Sequence, residues 1–272
     1  MQNSLKQHTI LVTRPAHKQA ELQAMLEAKG ADTAMLSTIE IAPIAEQDPE
    51  YARLKQHILD LDLFDIIICV SANAARLAGE LIDQYWPQLP VKLKWFAIGQ
   101  ATQSALANYD IWSTTATKGT DSEALLKASD LQQLQNSKVL ILKGTSGREL
   151  LSETLRSRGA QVFEANLYNR LIPVYTDQQI KNALYNSSLS AILVSSGEAL
   201  CNLMTIAKGS HNQFDTKPLL ATCVIVPSTR VAQIASTQGY QSIKVAAAAD
   251  NKSMVLALLS VKGLEADNEE KN

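Results

Sequence analysis

Hydroxyl side chains, glycines and single cations recur at one kind of place along this chain, just after a short apolar run. Arg14 follows Ile10 to Val12. Ser71 and Asn73 follow Phe64 to Val70, and Gly99 and Thr102 follow Lys94 to Ile98. Ser122 closes a loop after the run from Ile111 to Thr114. Lys143 opens a glycine turn reaching Arg148, after Val139 to Leu142. Ser195 and Ser196 follow Ala191 to Val194, and Ser228, Thr229 and Arg230 follow Cys223 to Val226. No histidine and no close carboxylate pair stands in these turns. What they offer is anion binding, because a helix N-terminus presents free N–H groups and the positive end of its dipole. Carboxylates and phosphates both suit such turns. The plainer reading is that each Ser or Thr only caps its helix, but the pattern returns at nearly every turn.

Tyr168 stands apart, in an extended segment between Ala165 and Arg170. Two readings are open. The ring packs in the core with its hydroxyl satisfied, or the phenol enters a cleft as hydrogen-bond donor or general acid. Several other chemistries are excluded by their missing signatures. There is no dinucleotide or P-loop glycine pattern, and no serine elbow. His8, His17, His57 and His211 are scattered without metal-ligand spacing.

The elements that must position these residues repeat. Aligning Gly30 with Gly159 pairs Arg14 with Lys143, Leu22 with Leu151, Leu26 with Leu155, and Ala31 with Ala160. Each copy predicts a strand, a basic turn, a helix, and a glycine stop of the kind that favours a left-handed backbone. Ile39 in the first copy stands where Tyr168 does in the second. Further on, Ser71 falls opposite Ser196, the segment at Trp95 opposite that at Thr222, and Ser122 opposite Ser253. Strands alternating with helices predict parallel sheets flanked by helices. In such sheets the ligand crevice lies beyond the carboxyl ends of the strands, where the turns above sit. Either Asp121 or Ser122 is expected to cap a helix from Glu123 to Ala128. The tail from 263 to 272 is acidic and expected to be disordered.

A length of 272 residues suits two domains, and 46% hydrophobic residues suffice for two cores. Aromatics are 5% of the chain and net charge is -2, which argues against a nucleic-acid or anionic-lipid surface. No apolar run predicts a signal core or a membrane span. Cys69, Cys201 and Cys223 have no metal-like spacing and fit reduced residues of a cytoplasmic protein.

The chain resembles the uroporphyrinogen-III synthase family. The resemblance runs from about Ile10 to Leu259. It is carried by Thr13-Arg-Pro15, Gly30-Ala31, Phe64-Asp65, Ala97-Ile-Gly99 with Thr102, and Asp121 to Leu126. The second half adds Lys138 to Gly144 with Arg148-Glu149, Gly159-Ala160, Tyr168, Ser195-Ser196, Ser228-Thr-Arg230, and Lys244 to Asp250. Two turns depart from the family pattern: Asn73 stands where a basic residue is usual, and Pro227 where the turn usually has glycine.

The resemblance implies a fold of two similar α/β domains, each a parallel sheet flanked by helices, joined by a two-stranded β-ladder. Residues 1–38 and 175–262 would form one domain and 43–167 the other, and such a pair should hinge closed around substrate. The implied reaction cyclises hydroxymethylbilane, a linear tetrapyrrole with eight carboxylates, losing water through a spirocyclic intermediate and inverting the last ring. No cofactor and no metal is implied. Tyr168 would assist departure of the hydroxyl. Ser71, Thr102 and Ser196 would line the cleft, and Arg14 and Arg230 would pair with carboxylates. Asn73, Gly99, Ser122, Lys143, Ser195, Ser228 and Thr229 complete the expected substrate-binding set. Partners would be limited to this substrate, with room for transient contact with the upstream deaminase, and without nucleic acid or membrane. The chain is expected to be a monomer. A non-catalytic two-domain binding protein for a small polycarboxylate would share most of these features and is the competing expectation.

Overall fold

The computed structural model describes residues 5–116, 119, 121–147, 149–185, 189–209 and 213–261. Arg148, His211 and the acidic tail from 263 lie outside them. The described residues divide into two compact units, one up to Glu40 and again from Leu171, the other from Ile41 to Arg170.

The first elements are β1 (Thr9–Val12), α1 (Ala20–Glu27), β2 (Asp32–Met35) and β3 (Glu40–Pro43). Next come α2 (Pro49–Leu59), β4 (Ile66–Cys69), α3 (Ala72–Tyr85), β5 (Lys94–Ala97), α4 (Gln100–Ala107), β6 (Thr114–Thr115) and α5 (Ser122–Leu125). They are followed by β7 (Lys138–Gly144), α6 (Leu150–Ser157), β8 (Gln161–Leu171), α7 (Asp177–Ile180), β9 (Leu189–Leu193) and α8 (Gly197–Ala207). The last are α9 (Lys217–Ala221), β10 (Cys223–Val226), α10 (Thr229–Gln238), β11 (Ile243–Val245) and α11 (Asn251–Leu259).

Among the described residues, one sheet has the order β11-β10-β9-β1-β2 and the other β3-β8-β7-β4-β5-β6. The first sheet is parallel throughout, as is the run from β8 to β6 in the second. Matched to each other, β2-β1-β9-β10-β11 and β8-β7-β4-β5-β6 follow one plan. Each unit therefore takes its β-α-β segment from one sequence copy and its other three strands from the other copy. The repeat seen in the sequence is not the folding unit. The copies have exchanged their leading β-α-β segments.

The glycine stops are built alike. Gly30 has φ 86° and Gly159 φ 93°. In each case the next residue's N–H reaches back five residues, Ala31 to Leu26 O and Ala160 to Leu155 O, both at 3.2 Å. That bond closes the helix end as a left-handed stop. An alanine at 159 would carry a Cβ 3.2 Å from the Gln135 Cα, in a backbone region costly to side chains. Gly159→Ala is expected to cost about 1–2 kcal/mol in a urea unfolding titration; an unchanged midpoint would contradict this account of the stop.

In the unit from Ile41 to Arg170 the strand alternation sets two apolar faces. Ile67, Cys69, Leu140 and Leu142 pack with Leu54 and Ile58 of α2, Leu77 and Ile82 of α3, and Leu106 of α4. Ile66, Ile68, Phe96, Val139 and Ile141 pack on the other face with Leu125 of α5 and Leu151 and Leu155 of α6. Strands buried on both faces must be apolar at every position, which is why they stand out as short unbroken runs. The other unit packs Ile10, Val12, Leu22, Leu26, Leu193, Ile225, Met254 and Leu258 into its own cluster. Among the described residues no helix is long and apolar enough to cross a membrane.

Two local expectations change and one is narrowed. The short strand expected from Ile111 to Thr114 is Thr114–Thr115, and Ile111 is instead buried ahead of it. Of the two caps expected ahead of α5, the structure uses Asp121, whose carboxylate accepts from Ala124 N–H at 2.8 Å. Asp250 does the same for α11, accepting from Ser253 N–H at 2.9 Å. The structural equivalent of Ser122 is therefore Asn251, two residues before the Ser253 expected from the repeat.

Candidate active site

In a sheet of this order the strand connections change direction at one point, and a crevice opens there at the carboxyl ends. That point lies between β7 and β4 in one unit and between β1 and β9 in the other. Most of the residues singled out in the sequence stand at these carboxyl edges.

At the edge by β7 and β4, the Tyr168 side chain reaches from β8 against the end of β7. Its ring is buried, with 4% of the residue exposed. Its hydroxyl lies 3.1 Å from the Ser71 Oγ. Ser71 caps α3, accepting from Ala74 N–H at 3.1 Å. The phenol is thus linked through one side chain to the positive end of a fourteen-residue helix. The structure bears directly on the packing reading of Tyr168. The ring belongs to the apolar cluster of this unit, and its hydroxyl has a polar partner at the carboxyl end of the sheet.

A second feature of the same edge is a cavity of about 290 Å³. Its apolar wall is Val70, Ile98, Ile141 and Leu151, and its polar wall includes Ser122, Lys143, Ser152 and Glu164. Lys143 is not a free cation here. Its ammonium lies 3.0 Å from the Glu164 Oε2, with the Arg156 guanidinium 3.6 Å from the other oxygen. Burial pushes the Glu164 carboxyl up, but hydrogen bonds from Lys143 and Ser152 and the charges of Lys143 and Arg156 hold it below its ordinary value. Its contribution to stability is therefore full above the ordinary carboxylate range and is lost as pH falls through the depressed value. Lys143→Met is expected to move the Glu164 titration upward in a carboxyl NMR titration, and an unmoved titration would contradict the pairing.

The other positions are as follows. Asn73 is half-buried in the first turn of α3, and Gly99 precedes α4 as its cap. Thr102 is buried, and its hydroxyl donates to Ile98 O at 2.7 Å. In the other unit, Ser196 caps α8, accepting from Ala199 N–H at 3.1 Å, with Ser195 just before it. Ser228 caps α10, and Thr229 and Arg230 are exposed in that helix's first turn. Arg14 is half-buried, and its guanidinium donates to the Ala249 carbonyl. The structure brings Ser71 to Tyr168, and Lys143 to Ser122 across one cavity.

Glu164 was not singled out in the sequence, yet a signal existed. It is a charged residue in a β-strand whose repeat-equivalent, Met35, is apolar, and it faces the Lys143 that replaces Arg14. Gly144, which reads in sequence as part of a turn, is the last residue of β7.

Two sheets whose five parallel strands share one plan, with capped helix N-termini at their carboxyl edges, define a two-unit α/β protein of the flavodoxin-like order. Solved structures share that fold. Uroporphyrinogen-III synthetase from Helicobacter pylori 26695 superimposes with a TM-score of 0.59 at 14% identity, covering 93% of this chain and 99% of that one. A mutant uroporphyrinogen III synthase from the extremely thermophilic bacterium Thermus thermophilus gives 0.58 at 14% identity, covering 92% and 97%. In sequence, the family model for uroporphyrinogen-III synthase HemD matches residues 20–256. The chain is 32% identical to uroporphyrinogen-III synthase of Escherichia coli (strain K12) over 254 residues, 92% of this chain and 99% of that protein. It is 31% identical to that of Salmonella typhimurium over 253 residues, with the same coverage. The chain belongs to the uroporphyrinogen-III synthase family.

Proposed function

We propose that the chain closes hydroxymethylbilane to uroporphyrinogen III, with Tyr168 as the group that assists loss of the hydroxyl. As a member of its family the chain is an enzyme of tetrapyrrole biosynthesis. The single observation that supports the role of Tyr168 is its phenol, held 3.1 Å from Ser71 at the point where the strand connections change direction.

The chemistry asks little of acid–base groups. The lone pair of a pyrrole nitrogen expels the hydroxyl, so the C–O bond breaks with one proton delivered to the leaving oxygen, which departs as water. The Tyr168 O–H supplies that proton or a hydrogen bond in its place. The phenolate that results is relieved by the Ser71 hydroxyl and by the α3 dipole behind it. The rest of the task is to fold a flexible chain so that the correct carbon is attacked. In this reading the helix N-termini at Asn73, Gly99, Ser122, Ser196 and Ser228, with the adjoining Ser195 and Thr229, hold substrate carboxylates. Buried Thr102 supports the α4 turn from below, and Arg14, Lys143 and Arg230 supply positive charge. Lys143 meets a substrate carboxylate only by sharing itself with Glu164.

We read β3, which neighbours β8, as one strand of a two-stranded connection, since the chain passes from one unit to the other at residues 40–41 and 170–171. The reading also carries a cytoplasmic location and transient contact with the deaminase that supplies the bilane. Three free cysteines support the location, and burial pushes the Cys69 thiol up to about 12, where it is unreactive.

The test is complementation. In a bacterial strain lacking its own uroporphyrinogen-III synthase, the chain is expected to restore growth without added haem and to abolish accumulation of type I porphyrin. Full expression of folded protein with continued type I accumulation would overturn the enzyme reading and favour a polycarboxylate-binding protein.

A further inference from the structure

We propose that Gly144, together with Ser71, is a positioning residue for the Tyr168 phenol. The proposal rests on the reading of Tyr168 as the proton donor.

The register of the β7–β8 ladder carries the argument. From Lys138 opposite Gln161 to Lys143 opposite Asn166 the pairing advances one residue at a time. It then slips, so that Gly144 faces Tyr168 and Leu167 is the extra residue of a bulge. The Thr145 N–H donates to Tyr168 O at 3.0 Å and closes the pairing beyond the slip. The displaced Leu167 is not left unpaired, because its carbonyl accepts the Ile44 N–H at 3.0 Å. An inserted residue of this kind re-aims the side chains that follow it. Without the slip, Leu167 would face Gly144 and Tyr168 would face Thr145.

The bulge sets the Tyr168 ring directly over the Gly144 backbone. A Cβ at 144 would lie 2.7 Å from the Tyr168 Cε2, 2.8 Å from Cζ and 3.2 Å from the hydroxyl oxygen. No real Cβ tolerates the first two contacts, and the neighbour is a ring packed in a core. Gly144 is not among the glycines with positive φ. Its backbone could carry a side chain, so glycine here provides space and not conformation. At the hydroxyl end, the Ser71 Oγ meets the phenol oxygen at 3.1 Å while anchored by its own capping bond from Ala74 N–H. The ring thus lies against bare backbone at Gly144 and its hydroxyl meets a fixed hydroxyl at Ser71. Together these contacts fix where the phenol oxygen stands.

The measurement is a kinetic cycle on the full chain: wild type, Gly144→Ala, Tyr168→Phe and the double variant. Each is assayed for kcat and KM of type III formation, with thermal unfolding as a folding control. Gly144→Ala is expected to lower kcat about 10- to 100-fold, with KM little changed, because the phenol moves off line by a fraction of its own length. In the Tyr168→Phe background the same substitution is expected to have no further effect on kcat, since no phenol remains to misplace. Tyr168→Phe with wild-type turnover would remove the parent reading and this one together. A slow Tyr168→Phe beside a Gly144→Ala of wild-type kcat would overturn the positioning role alone. Equal losses in both backgrounds would overturn it too, as general packing damage. Should Gly144→Ala fail to fold, Ser71→Gly carries the test. Glycine costs only a few tenths of a kcal/mol as a cap, so the helix stays, and kcat is expected to fall only while Tyr168 is present. An unchanged kcat in Ser71→Gly would then overturn the proposal.

Discussion

Tyr168→Phe is expected to reduce turnover to type III product by about 10²- to 10⁴-fold, the range that a positioned proton donor contributes. The ring, which fills part of the apolar cluster around Leu142 and Leu167, is retained. Only the hydroxyl is lost. Its partner is not stranded, because the Ser71 Oγ keeps the Ala74 N–H as donor. The stability change is therefore expected to stay within about 0.5–1.5 kcal/mol, the net value of one hydrogen bond. A large kinetic loss with a small stability loss separates a chemical role from a packing role. A variant that turns over at the wild-type rate would remove Tyr168 from the mechanism, and one that loses rate only because it unfolds would reduce the residue to core packing.

Phe96→Ala carries the largest expected effect on stability. Phe96 is 2% exposed and lies in β5, between β4 and β6. It packs in the cluster that includes Ile68, Ile141, Leu125 and Leu151. Truncation removes the transfer energy of the ring and leaves a void, and together these cost about 3–5 kcal/mol. Part of that cluster also walls the cavity holding Lys143 and Glu164, through Ile98, Ile141 and Leu151. Loss of cavity shape should therefore accompany loss of stability. The core around Leu22, Leu193 and Ile225 in the other unit is separate. Urea unfolding followed residue by residue by hydrogen exchange is expected to show protection lost first in β4, β5 and β7, with β1 and β9 protected longer. A loss under about 1 kcal/mol, well below the range for a buried aromatic, or uniform loss across both units, would contradict this assignment of the core.

Much of the fold was legible because its causes are local. A strand buried on both faces must be apolar at each position, so Ile66 to Cys69 and Cys223 to Val226 stand out as short unbroken runs. The two glycine stops stand out because a left-handed turn after a helix strongly favours glycine. The exchange of β-α-β segments between units left no local trace. Both copies carry the same plan, and which strands pair is decided by long-range packing alone. The resemblance to a family supplied what periodicity could not. At the site, the serine caps were legible from their place after each strand. Three features were not. The bulge at Leu167 depends on where β3 and β7 meet β8, which no window of sequence contains. The pairing of Lys143 with Glu164 joins residues on neighbouring strands. The hydroxyl of Thr102 looked available to a ligand, but a helix turn places it on Ile98 O, inside the fold.

The most direct test of the account is the isomer formed from hydroxymethylbilane. The bilane is generated in situ by its deaminase, this protein is added, the products are oxidised, and type I and type III porphyrins are separated. The account predicts a shift to type III that scales with the amount of protein and collapses in Tyr168→Phe. Type I alone, formed at the uncatalysed rate in the presence of folded protein, would contradict it.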